Sequence, residues 1–218
     1  MGTNLALLPI DYGDISLVGY WKFDEGSGTV AYDSSGSNAT GSWNGTGAHY
    51  AAGKVGAYAG QFNGTDDYVY YGGAPLGAPV AGHTMIVWFK PSALAVATNV
   101  LVSQGDYHYL SFHVAGDTPF HSALVGGSQK TISGSTAVTT GSWYMVAGRY
   151  DGSRLTVWLN GQLDGALNAS GNDGSGSGFA IGRFSPGGYF TSGLVDEVRI
   201  YNRALSAAEI SAIYNATK

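Results

Sequence analysis

Residues 193–215 read GLVDEVRIYNRALSAAEISAIYN, and the two halves of this stretch follow different periods. Taken two residues at a time, Leu194, Asp196, Val198 and Ile200 share one face of a strand, and Val195, Glu197, Arg199 and Tyr201 share the other. The first face is apolar except for Asp196. A carboxylate on a core-facing row is costly unless a cation, a metal or several hydrogen-bond donors compensate it. Beyond the strand, Ser206 and Glu209 have the spacing of a capping box, with Ser206 as N-cap and Glu209 reaching back to its amide. Leu205 and Ile210 fall at the positions of a hydrophobic staple. A short helix is therefore expected, packed through Ile210, Ile213 and Tyr214.

Upstream, the chain is a succession of short alternating runs. LVGYWKF begins at Leu17, QFNG and DYVYY bracket Thr65-Asp66, and TMIVWFKP is a central strand ended by Pro91. NVLVS, YHYLSFHV, HSALVGG and QKTIS follow, and then WYMVAGRY, RLTVWL and QLDGAL form a meander. The turn at Asn160-Gly161 between two alternating runs is the strongest short hairpin signal in the chain. FAIGRF completes the set before the opening stretch. Residues 31–60 are small, polar and Gly-rich, and read as a long surface loop with one weak strand. Roughly a dozen short strands with regular turns predict an all-β, two-sheet antiparallel jelly-roll sandwich with one short C-terminal helix. No internal repeat and no second core is evident, so the expected division is an arm or linker over residues 1–16 and one domain over 17–218.

Composition supports this reading. The 218 residues are 44% hydrophobic and 11% charged, with 35 glycines and 15 tyrosines, as expected of aromatic-rich strands joined by tight turns. The formal net charge is −5 and no basic cluster occurs, which argues against nucleic acid and anionic membrane as partners. Without cysteine there is neither a disulfide nor a thiolate metal site. No apolar run is long enough to insert into a membrane, and LALLPI near the start is too short for a signal peptide.

Six segments in order, YWKFDEGSG, AYDSSG, FNGTDDYV, MIVWFKP, WYMVAGRYDGSRLTVWLNG and DEVRIYNRALSAAEI, resemble the concanavalin A-like, laminin G-like jelly-roll domain. The resemblance runs from about Leu17 to Tyr214. It implies two sheets face to face and a secreted or cell-surface setting, with a glycan or an extracellular-matrix component as partner. It says less about activity, because this fold hosts lectins, adhesion modules and hydrolases. It also implies one structural Ca²⁺ at the rim, at positions matching Asp24 and Asp196, with Asp33 as a further ligand. Two carboxylates plus carbonyls from Gly-rich loops suit this hard cation. The alternative is that backbone amides alone compensate Asp196.

In YHYLSFHV, Tyr107, Tyr109, Ser111 and His113 share a face, opposite Leu110, Phe112 and Val114. Aromatic rings beside hydroxyl and imidazole groups suit sugars, whose apolar faces stack while their hydroxyls need hydrogen bonds in both directions. The expected ligand residues are Tyr107, Tyr109 and His113, joined by His121 from the neighbouring strand and Trp43 from the rim. The alternative is an ordinary solvent face rich in tyrosine because tyrosine favours strands. No catalytic residues are expected: the alternating row of acids of laminarinase-like enzymes is missing, and neither a nucleophile elbow nor a phosphate loop occurs. Five Asn-x-Ser/Thr sequons, at Asn38, Asn44, Asn63, Asn168 and Asn215, are explained by composition. The function expected is a non-catalytic recognition module, carbohydrate-binding or adhesive. Its rival is a structural subunit of an extracellular filament or surface layer, self-associating by strand addition through the aliphatic residues 3–10, although the favoured docking of that arm is onto an edge of its own sheet.

Overall fold

The computed structural model describes residues 13–77, 81–94, 99–113, 116–174, 176–185 and 187–218. The arm over residues 3–10, and any docking it makes, lies outside them. In chain order the strands are β1 (Leu17–Trp21), β2 (Val30–Ala31), β3 (Gly41–Asn44), β4 (Tyr50–Ala52), β5 (Tyr58–Asn63), β6 (Tyr68–Tyr71), β7 (His83–Pro91) and β8 (Asn99–Gln104). There follow β9 (His108–His113), β10 (Thr118–Val125), β11 (Ser128–Ser133), β12 (Tyr144–Tyr150), β13 (Arg154–Leu159), β14 (Gln162–Asn168), β15 (Phe179–Ile181) and β16 (Ser192–Tyr201), and then the helix α1 (Ala207–Thr217). Sheet A runs β14-β13-β12-β7-β16-β5-β4, with β1 also paired to β16, and sheet B runs β11-β10-β9-β8-β15-β6-β3-β2.

β16 is the hinge of sheet A. It pairs with β7 along most of its length, while on its other edge β5 takes the first half and β1 the second. The alternating residues of both sheets interleave in one core that includes Trp21, Phe62, Val87, Phe89, Leu110, Phe112, Val146 and Phe179. Trp21 of sheet A stacks on Phe179 of sheet B with ring centroids 4.8 Å apart. The jelly-roll sandwich expected from the strand pattern is the fold observed.

The phase expected for residues 194–200 needs correction. Register shifts between Asp196 and Arg199, and Glu197 adopts φ +53°, so a β-bulge interrupts the alternation. Val195, Val198 and Ile200 all enter the inter-sheet core, whereas Leu194 is only half-buried. Asp196 sits opposite Trp88, on the face of sheet A away from sheet B. It is buried there all the same, beneath the turn that precedes β5. Residues 31–60 are also more ordered than expected, since β3, β4 and the start of β5 fall in them.

The helix forms as the sequence requires. Glu209 N donates to Ser206 Oγ at 3.2 Å and Ser206 N to Glu209 Oε2 at 2.6 Å, which completes the capping box. Leu205 and Ile210 are both fully buried, in a second cluster with Leu17, Trp88, Met145 and Tyr201 on the outer face of sheet A. Arg203 holds the corner by pairing with both Asp14 and Glu209 at 2.7 Å.

Candidate functional site

The outer face of sheet B carries a continuous aromatic surface. Leu110 and Phe112 of β9 point into the core, so alternation sends Tyr109 outward. Tyr109 stacks on Phe120 of β10 at 5.7 Å and meets Phe184 edge-on at 5.5 Å, and Phe184 in turn meets Tyr189 at 6.2 Å. Phe184 and Tyr189 belong to the segment after β15. Thr191 ties that segment down by donating from N to Gly182 O and from Oγ1 to Val100 O. Tyr189 is 59% exposed, Tyr107 39% and Tyr70 38%. Polar groups rim the rings: Gln129 Nε2 donates to Ser122 Oγ at 3.0 Å and to Tyr109 Oη at 3.3 Å, and the Arg183 guanidinium lies 3.7 Å from the centre of the Tyr68 ring. Exposed rings beside a hydrogen-bonding rim can stack on an apolar ligand face and bind its hydroxyls at the edge.

Of the five ligand residues expected, Tyr109 lies on this surface and Tyr107 is exposed in the turn before β9. The side chain of His113 lies outside the described residues. Two expectations are corrected. His121 is fully buried, because its register partner is Leu110 and the two share the core face. Trp43 is no rim residue: it is 6% exposed at the centre of β3, stacked on His49 at 4.5 Å and packed against Phe62. Phe120, Phe184 and Tyr189 were missed, since only the pairing of β10 with β9 and the path of the segment after β15 bring them to Tyr109.

The acidic residues divide by what compensates them. Asp33 is saturated, accepting from Tyr20 N and Ser35 N at Oδ1 and from Ser35 Oγ and Ala39 N at Oδ2. It clamps its loop and has no lone pair to offer a cation, so it drops out of the expected calcium set. Asp24 and Asp196 grip one turn from two sides. Asp24 Oδ1 accepts from Ala57 N and Tyr58 N, and Asp196 Oδ2 accepts from Lys54 N and Val55 N, with Glu197 N on Oδ1. Burial nevertheless pushes the Asp196 carboxyl up to about 7 against the Val55 and Lys54 amides. Backbone donors thus under-compensate it, and it holds its proton more tightly than an ordinary aspartate. Glu197 is held by Tyr20 Oη at 2.8 Å and Arg199 at 2.7 Å, and Asp67 by the amides of Gly47 and Asn63. Glu197 and Asp67 therefore serve the scaffold.

A different cluster was not foreseen. His83, His108, His121 and Asp173 meet between the sheets, each at most 1% exposed. His83 Nδ1 lies 2.5 Å from Asp173 Oδ2, His108 Nε2 lies 2.7 Å from Asp173 Oδ1, and His83 Nε2 lies 3.0 Å from His121 Nε2. Burial alone would raise the Asp173 carboxyl, but the hydrogen bonds from His108 and His83 outweigh it and hold the group well below the usual carboxylate range. The only sequence signals are an Asp in a Gly-rich turn and histidines at or near strand starts, and their separations of 13 to 90 residues match no ligand spacing.

Residues 63–211 match the sequence pattern of the concanavalin A-like lectin/glucanases superfamily. The chain belongs to this superfamily. No curated protein matches it in sequence. Among solved structures this lectin/glucanase-type domain resembles domain 4 of AbnA, a GH43 extracellular arabinanase from Geobacillus stearothermophilus, in complex with arabinotriose. The TM-score is 0.68 at 22% identity, over 91% of this chain and 98% of that one. It also resembles the binding domain of Paraclostridial Mosquitocidal Protein 1 (TM-score 0.70, 15% identity, 92% of this chain and 52% of that one). A third relative in fold is the binding domain of botulinum neurotoxin DC in complex with SialylT (TM-score 0.69, 10% identity, 93% and 51%). The chain thus spans about half of those two toxin domains and nearly all of the arabinanase domain.

Proposed function

We propose that the domain is a non-catalytic carbohydrate-binding module of a secreted or cell-surface protein, with its ligand platform on the outer face of sheet B. The observation that carries this reading is the run Phe120, Tyr109, Phe184 and Tyr189, with Gln129 bonded to the Tyr109 hydroxyl at its edge. The fold relatives add support, since two of them are named in complex with sugar ligands, one as part of an extracellular enzyme. The non-catalytic reading rests on the acidic residues, which the scaffold engages singly rather than presenting as a facing pair. Calcium, if bound, belongs with Asp24 and Asp196, where it would lock the turn over residues 53–58 and supply the charge that Asp196 lacks. Asp24 and Asp196 lie beside sheet A and the aromatic platform on sheet B, so calcium in this reading would be structural.

A glycan array that includes arabino-oligosaccharides and sialylated glycans tests the reading. Binding to a small set of related sugars is expected. Tyr189→Ala, at an exposed ring, should then weaken the measured affinity about thirtyfold, corresponding to about 2 kcal/mol for a lost stacking anchor. Silence across the array, or unchanged affinity in both Tyr189→Ala and Tyr109→Ala, would move the function away from this face.

A further inference from the structure

The hydrogen bonds of the buried histidine cluster leave one position open, between His83 and Asp173. His121 Nδ1 lies 3.1 Å from Thr156 O. A carbonyl only accepts, so that nitrogen carries the hydrogen and a neutral His121 presents a bare Nε2 to His83 Nε2, 3.0 Å away. The hydrogen between the two rings therefore sits on His83 Nε2. His83 Nδ1 then faces the Asp173 carboxylate with its lone pair or with a second hydrogen. A second hydrogen makes His83 an imidazolium and its contact with Asp173 an ion pair sealed between two sheets. A cation in place of that hydrogen leaves all three imidazoles neutral, replaces the contacts of His83 and His108 with Asp173 by metal bonds, and keeps the relay from His83 through His121 to Thr156 O.

The surroundings fit a cation. The ligand atoms of His83, His108 and Asp173 lie within 4.8 Å of one another, the sole such group of three among the described residues. Asp173 accepts from no backbone N–H of the described residues, unlike Asp24, Asp33, Asp67 and Asp196, so its oxygens are aimed at the two rings alone. Metal-bound imidazoles donate their second N–H to an outer partner that sets the tautomer, and the relay from His83 through His121 to Thr156 O has that form.

We propose that His83 Nδ1, His108 Nε2 and the Asp173 carboxylate bind a divalent transition-metal ion, zinc by donor type, and that His121 is the positioning residue that holds His83 in its metal-binding tautomer. Two nitrogens and one carboxylate suit zinc rather than calcium. Bonds of about 2.1 Å at tetrahedral angles place ligand atoms roughly 3.4 Å apart, so the carboxylate backs away by under about 1 Å while the two rings close on the ion. The backbone on either side of Asp173 is bonded to the end of β10, through Gly126 N to Asn172 O and Gly174 N to Leu124 O, so the adjustment falls on the Asp173 side-chain torsions. The ligands come from β7 of sheet A, β9 of sheet B and the turn after β14, so the ion would pin the two sheets together.

The site is sealed, so metal is best offered during folding. Tag-free chain is unfolded with chelator, then refolded with Zn²⁺, with Co²⁺ or with chelator retained, and desalted. About one metal per chain, the visible absorption of four-coordinate Co²⁺, proton release on binding and a higher melting temperature with Zn²⁺ are expected. His108→Gln and Asp173→Asn should each lose the Co²⁺ spectrum. The wild-type spectrum alone decides the matter if these variants fail to fold. Wild-type chain that retains no Co²⁺ and melts identically with and without Zn²⁺ overturns the proposal, leaving a proton in that place. Retention undiminished in both folded variants overturns it equally. Neither result touches the glycan platform.

Discussion

Two aspartates show how environment assigns a role to the same side chain. Asp173 is flanked by imidazoles and ionises readily, whereas Asp196 is flanked by amides that do not offset its burial. The consequence for Asp196 has a definite sign. Its folded pKa of about 7 lies above the 3.8 of an ordinary Asp, so between those values the folded chain binds a proton that the unfolded chain lacks. The stability this contributes is fully present below the lower value and is lost as pH rises through the upper one. In chelator, the melting temperature of the wild type should therefore fall between about pH 4 and pH 7 relative to Asp196→Asn, which lacks the titration. Added Ca²⁺ should reverse the fall at the upper end if the ion sits beside Asp24 and Asp196. An identical pH slope in wild type and variant would place the titration elsewhere, and a calcium-insensitive melt would remove the ion.

At the scale of elements, β16 and α1 illustrate opposite degrees of local control. The helix is specified by neighbours in sequence, since its cap, its N3 carboxylate and its staple all lie within residues 205–210. Ser206→Ala should cost about 1 kcal/mol, lowering the melting temperature by roughly 2–4 °C in a chain of this length while leaving the fold unchanged. A circular dichroism melt checks this; no change would mean that Glu209 is held by Arg203 alone. The bulge in β16 is a different matter. Its left-handed residue is Glu197, not a glycine, and the strain is supported by a buried pair with Arg199 and by Tyr20 from the adjacent strand. Nothing within GLVDEVRIY announces that support.

For the molecule as a whole, the closeness of the two sheets depends on where side chains are missing. Gly148 of β12 faces His121 of β10 across the core, and a β-carbon added there would lie 2.7 Å from the imidazole ring. Backbone and buried ring both resist displacement, so Gly148→Ala should destabilise the fold by about 1–3 kcal/mol through overpacking. Denaturant unfolding measures this directly, and a neutral substitution would show that the cluster is looser than its hydrogen bonds imply. The same packing seals the histidine–aspartate cluster from water, while the aromatic surface on the opposite side of sheet B faces solvent.

The sequence by itself determined the features that depend on short separations: the all-β class, the Asn160-Gly161 hairpin between β13 and β14, the capped helix with its staple, and the outward placement of Tyr109 opposite Leu110 and Phe112. Period and turn chemistry suffice for these because each is settled among residues a few positions apart. Tertiary structure alone decided which strands pair. That choice sent His121 into the core beside Leu110, put Trp43 under Phe62, and drew Phe120 and Phe184 to Tyr109. It also brought His83 to Asp173 from 90 positions away. A strand's alternation says which residues share a face. Only pairing and register say whether that face meets water or the other sheet, and a single extra residue at the β16 bulge was enough to exchange the two.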